Sequence, residues 1–126
     1  MKLVVFVLSV SLMLFGAALV LHAQSADDPL DAVKVCKDTQ KVLIENTFVR
    51  VIDDQIPPGV TEPRHRHPHG VSIYLSDYTT EQLSDDGKVT AQPRKRDTAG
   101  WNEPVIHQVR NGGTTMSHSI RIELKF

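Results

Sequence analysis

Residues 59–69 read Gly59-Val60-Thr61-Glu62-Pro63-Arg64-His65-Arg66-His67-Pro68-His69. On an extended strand, every second residue points to one face. His65, His67 and His69 therefore share a side, and Arg64 and Arg66 take the other. Two imidazoles from one strand can converge on a single metal ion. A third ligand then has to come from elsewhere in the chain. His107 is the candidate, since residues 105–109 read as a strand that turns Gln108 outward. Neutral imidazole suits divalent Fe, Mn, Ni, Cu and Zn alike.

The segments around this stretch are short and cut by turn residues. Residues 42–44 are apolar, and residues 48–52 alternate around Arg50, before Pro57, Pro58 and Gly59 stop the run. Residues 71–75 form another strand, with Ile73 and Tyr74 as good strand formers. Asp85, Asp86 and Gly87 mark a hairpin turn, followed by a strand at 88–92. Asn111, Gly112 and Gly113 mark a further turn. In the last run, Met116, His118, Ile120, Ile122, Leu124 and Phe126 alternate with Ser117, Ser119, Arg121, Glu123 and Lys125. This is the pattern of a half-buried strand, with the apolar set expected to face the core. Residues 32–42 are the only weak helical candidate. The expected fold is all-β, a sandwich or barrel.

Residues 3–21 carry no charge, and Lys2 precedes them. Gly16, Ala17 and Ala18 thin the run before the chain turns polar at His22. This reads as a signal peptide over residues 1–23, with cleavage after Ala23 or Ser25, and implies a periplasmic or secreted product. The alternative is an uncleaved anchor, since the run as a helix would be about 28 Å long. From Gln24 onward the chain holds all 15 acids and 13 of the 14 Lys and Arg. The resulting formal charge of −2 argues against a nucleic-acid partner, and a hydrophobic content of 40% argues against disorder. Cys36 is the sole cysteine, so an internal disulfide is excluded. It reads as a small apolar residue in or near an N-terminal strand. The basic run Pro93, Arg94, Lys95 and Arg96 reads as a solvated loop.

The spacing resembles that of the cupin superfamily. Gly59, five residues, His65, one residue and His67 match the opening of the first cupin motif. The Glu that follows in that motif falls on Val71 or Ser72 here, so the acid is missing. Asp97, His107 and Asn111 keep the ten- and four-residue intervals of the second motif, although Arg96, Asn102 and Pro104 replace its Gly and Pro residues. The chain is especially similar to small exported single-domain cupins, through His65, His67, Pro68, Val71, Leu75, Ser76, Asp77, Asp86, Gly87, Lys88, Trp101, His107 and Asn111. The resemblance spans residues 42–126, leaving 24–41 as an N-terminal extension. It implies a single jelly-roll β-barrel with a metal or ligand pocket inside. It does not imply one reaction.

The missing Glu bears on the ligand set. His69 can take its place unless Pro68 breaks the strand and turns it outward. Glu62 is disfavoured by its strand parity relative to His65, and Glu103 by its neighbour Pro104. The ligand set read here is His65, His67 and His107, with His69 a fourth candidate. His118 is expected to face the barrel interior as a core histidine, or as the partner of a ligand's other nitrogen. Tyr74 and Trp101 are expected in the core or at the barrel mouth. Asn111 and Gln108 are at most supporting residues. These residues point to a metal-dependent oxygenase or isomerase acting on a small polar molecule. The alternatives are a non-catalytic metal- or ligand-binding module and a structural metal site. A homodimer is expected, with residues 31–44 as the contact region.

Overall fold

The computed structural model describes residues 28–126. The apolar N-terminal run and the expected cleavage site lie outside them. The elements are α1 (Ala32–Val35), β1 (Gln40–Glu45), β2 (Val49–Ile56), β3 (Thr61–His67), β4 (Gly70–Tyr74), β5 (Tyr78–Leu83), β6 (Val89–Arg94), β7 (Thr98–Asn102), β8 (Val105–Arg110) and β9 (Ser117–Leu124). All strand pairs are antiparallel. One sheet has the order β1-β2-β9-β4-β7 and the other β3-β8-β5-β6. The chain is thus the all-β barrel that the strand and turn pattern predicts, of the jelly-roll type that the cupin resemblance implies.

The turns form where the residues allow them. Gly59 (φ 79°) and Gly87 (φ 80°) hold left-handed backbone that a side chain would strain. Ser84 and Asp86 staple the second of these turns, because Asp86 Oδ1 accepts from Ser84 Oγ and from the Lys88 amide. Pro63 and Pro93 fall on β3 and β6, the two edge strands of the four-stranded sheet. An edge tolerates the missing N–H. The single helical turn α1 replaces the longer helix that residues 32–42 suggested. The segment before it lies along β3, where the Arg66 amide donates to the Leu30 carbonyl (2.7 Å). That contact covers the free edge of β3.

The faces of β9 are the reverse of the sequence expectation. Ser117, Ser119, Arg121 and Glu123 are buried, and His118, Ile120, Ile122 and Leu124 are half-buried on the outer surface. Their outward neighbours continue the apolar face: Ile120 lies opposite Ile73, and Ile122 opposite Val51 and Val71. The inside of the barrel is polar because it encloses a cavity. The only buried apolar side chains among the described residues are Ala32, Cys36, Ile52, Ile56 and Tyr74. Period-two alternation is real in β9, but the hydrophobic set is not the inward one.

Candidate metal centre

β3 carries His65 and His67 on its inward face, and both are buried. β8 pairs with β3 so that His107 lies directly opposite His65. Cross-strand neighbours on one face are the closest side chains in a sheet. The three rings meet accordingly, with centroids 4.7 Å apart for His65–His67, 4.6 Å for His65–His107 and 5.6 Å for His67–His107. Each offers a ring nitrogen within 4.8 Å of the other two.

The hydrogen bonds settle which nitrogens are available. His67 Nδ1 is 2.6 Å from Glu123 Oε1, so it donates there and leaves Nε2 with a lone pair. His65 Nδ1 is 2.7 Å from the Pro63 carbonyl, which requires a proton on Nδ1 and frees Nε2. Cys36 Sγ lies 3.3 Å from the same Nδ1. His65 Nε2 faces His107 Nε2 at 3.1 Å. Burial pushes the His67 imidazolium well below its ordinary pKa, aided by the charges of Arg121 and Arg50. Burial pushes His107 down to about 3, with charge at His65, His67 and Arg121 adding to it. Neutral rings with fixed tautomers are what a divalent transition metal needs. The buried His107 Nδ1 has no hydrogen-bond partner among the described residues. The donor set fits such an ion.

A carboxylate stands behind His67. Glu123 Oε2 accepts from Arg50 Nε at 2.7 Å, and Arg50 also holds Asp31 through both Nη atoms (3.1 and 2.8 Å). Burial raises the Glu123 carboxyl and the Arg50 charge pulls it down. A carboxylate on the far nitrogen of a ligating histidine orients the ring and raises its basicity.

Glu62 corrects the parity argument made from the sequence. The β3–β8 register runs regularly except between Glu62 and His65, where Pro63 and Arg64 form a bulge. The extra residue brings Glu62 onto the inward face beside His65. It is buried, accepts from Thr39 Oγ1 and Gln40 Nε2, and lies 3.7 Å from His65 Nε2. Cys36, Glu62 and His65 form a second set of donor atoms close enough to share an ion.

Other expected residues lie elsewhere. His69 does not join the cluster, since β3 ends at His67 and Pro68 follows. It stacks on Trp101 at 5.8 Å and sits 3.2 Å from Glu103. His118 points outward, not into the barrel, and pairs with Asp53 at 2.8 Å. Asn111 is buried away from the rings, where it donates to the Ile56 and Thr115 carbonyls and pins the turn after β8. Arg94 leaves its expected solvated loop, sits on β6 and packs over Tyr74, 5.1 Å from the ring centre. Asp54, Arg121 and Glu123 escaped the sequence reading. Arg121 and Glu123 alternate with apolar residues that looked like the buried set, and Asp54 lies beyond the run 48–52 that read as a strand.

The three histidines open on a cavity of about 350 Å³ whose wall includes Asp54, Ser72, Tyr74, Arg94 and Arg121. No model of a known family matches the chain, and no curated protein does. Solved structures do resemble it. A cupin domain from Bordetella pertussis is 26% identical, with a TM-score of 0.64 over 69% of this chain and 92% of that one. A double-stranded β-helix protein from Klebsiella pneumoniae matches at 20% identity and TM-score 0.55, over 68% of this chain and 75% of its own. An RmlC-like cupin from Methanocaldococcus jannaschii matches at 11% and 0.54, over 68% and 77%. By strand order and by its likeness to the Bordetella pertussis cupin domain, the chain belongs to the cupin superfamily.

Proposed function

We propose that this is an exported cupin that binds a divalent transition metal through His65, His67 and His107 and acts on a small polar molecule. The observation that carries the reading is three clustered imidazoles, two with a ring nitrogen held by hydrogen bonds, lining one polar cavity. Three protein ligands leave coordination positions open, as catalytic sites do and closed structural sites do not. A bound metal would supply Lewis acidity at those positions. The chain supplies the rest. Glu123 orients His67, the Pro63 carbonyl orients His65, and the barrel wall limits what enters. Isomerase and oxygenase chemistry both suit such a site, and a non-catalytic binding module uses the same ligands. Export rests on the uncharged run over residues 3–21.

Elemental analysis of purified protein tests the centre. His65→Ala combined with His67→Ala is expected to strip the metal, and unchanged metal content would overturn the assignment. Spectroscopy of a cobalt form separates the roles: open coordination supports the enzyme, and saturation by protein ligands supports a structural site. Met1 at the N-terminus of the mature protein would rule out cleavage.

A further inference from the structure

Besides His107 Nδ1, two buried polar atoms on the cavity wall lack partners among the described residues: Arg121 Nε and Asp54 Oδ1. Arg121 is 7% exposed. Its Nη2 donates to the Pro68 carbonyl at 3.1 Å, but its Nε stays 3.9 Å from Glu123 Oε1, too far for a hydrogen bond. Glu123 is already engaged by Arg50 and His67. A buried guanidinium with an idle N–H is costly unless something accepts from it. It lies beside the metal centre, since the Glu123 oxygen nearest its Nε is the one that holds His67, and Arg121 and His67 both line the cavity with His107.

Three carboxylates line the wall, Asp54, Glu62 and Glu103, and Glu103 accepts from Trp101 Nε1 at 2.7 Å. Glu62 is tied to Thr39 and Gln40. Burial and the charge of Glu62 push the Asp54 carboxyl well above its ordinary pKa, which weakens its charge toward an anion. Arg94 adds a second cation to the wall. Ser72 and Tyr74 add hydroxyl groups. The cavity is at the small end of ligand pockets, which span about 300–1,000 Å³.

We propose that the cavity takes a small hydroxycarboxylate anion. Its carboxylate is held between Arg121 and the cation on the histidines, and a hydroxyl group meets Asp54. This rests on the metal-centre reading above. Arginine recognises carboxylate through charge-assisted bonds stronger than neutral ones, so the anionic group gives most of the selectivity.

The test is isothermal titration of the zinc-loaded protein with glycolate, L-malate and L-tartrate, and with uncharged threitol. At least one hydroxycarboxylate is expected to bind one-to-one, and threitol is expected not to. Arg121→Gln should keep its zinc and lose roughly 10- to 100-fold in affinity, with Arg121→Lys in between. Asp54→Asn should weaken malate more than succinate, which lacks the hydroxyl. Binding of threitol as tight as that of the acids would overturn the proposal. So would an Arg121→Gln protein that holds zinc with unchanged affinity, or wild type that holds zinc and binds none of the acids. Should wild type hold no zinc, the metal centre falls, and malate binding to the metal-free protein decides the anion pocket: loss in Arg121→Gln supports it, and no binding overturns it. The malate–threitol comparison needs no variant, so a misfolded Arg121→Gln leaves the test intact.

Discussion

Glu123 shows how much one side chain can hold. Its two oxygens join His67 on β3 to Arg50 on β2, and Arg50 carries the link on to Asp31. All of this lies within or beside the barrel, with Glu123 only 1% exposed. Glu123→Gln keeps the shape and removes the charge. It is expected to weaken metal affinity by about 10- to 100-fold. Arg50 keeps Asp31, so losing the Glu123 charge should cost about 1–3 kcal/mol of stability. A competing-chelator titration and urea denaturation measure the two effects separately, and an unchanged metal affinity would contradict the role given to Glu123. His107 gives a pH signature. Its folded-state pKa of about 3 lies below the ordinary 6.5. Below pH 6.5 the unfolded chain binds a proton that the folded chain refuses, so stability falls as pH drops from 6.5 toward 3. In metal-free protein, lowering the pH from 7 to 5 should therefore cost wild type more stability than His107→Gln. Equal losses in the two proteins would contradict the buried neutral ring.

At the level of elements, β3 and β4 are set by details that periodicity does not carry. The bulge at Pro63 and Arg64 inserts one residue, and one residue is enough to exchange the faces of a strand. Glu62 is inward for that reason alone. Gly70 opens β4 where the strand presses on β9, and a Cβ there would fall onto the Ile122 carbonyl. Backbone cannot yield as a flexible side chain can. Gly70→Ala is thus expected to separate β4 from β9 locally and lower stability by about 1–3 kcal/mol. Thermal unfolding by circular dichroism checks this, and an unshifted midpoint would show that the strands have room. The bulge and the close approach both lie in the stretch from Glu62 to Gly70, so the same short segment sets the ligands and the sheet contact.

For the molecule as a whole, the unusual feature is a polar inside and an apolar outside on the five-stranded sheet. Trp101 is 57% exposed, Ile44 54% and Ile73 38%. Register places all three on the outer face, with Val51, Ile120 and Ile122 between them. We propose that this apolar face pairs two copies of the chain, since exposed apolar patches favour association and closed pairs are the commonest assemblies of a single chain. Sedimentation velocity is expected to show a dimer at micromolar concentration. Ile73→Lys combined with Ile44→Lys should shift it to monomer. A monomeric wild type would leave the expected dimer without support.

Much of this architecture is legible in the chain itself. Gly59, Gly87 and the Asn111–Gly113 turn announce where strands end, and alternation from Ser117 to Leu124 announces β9. The His65, His67 and His107 spacing marks the candidate ligands before any coordinates. What alternation leaves open is which face turns inward. A strand has two faces, and an apolar set is not bound to be the inner one when the interior is a polar cavity. For that reason His118 and Arg121 exchange the places expected of them. Only tertiary pairing decided that His107 stands opposite His65, that a bulge recruits Glu62, that Pro68 releases His69 to Trp101, and that Glu123 backs His67. Sequence determines the local geometry of each strand. The register between strands, set by contacts among residues far apart in the chain, determines which side chains meet.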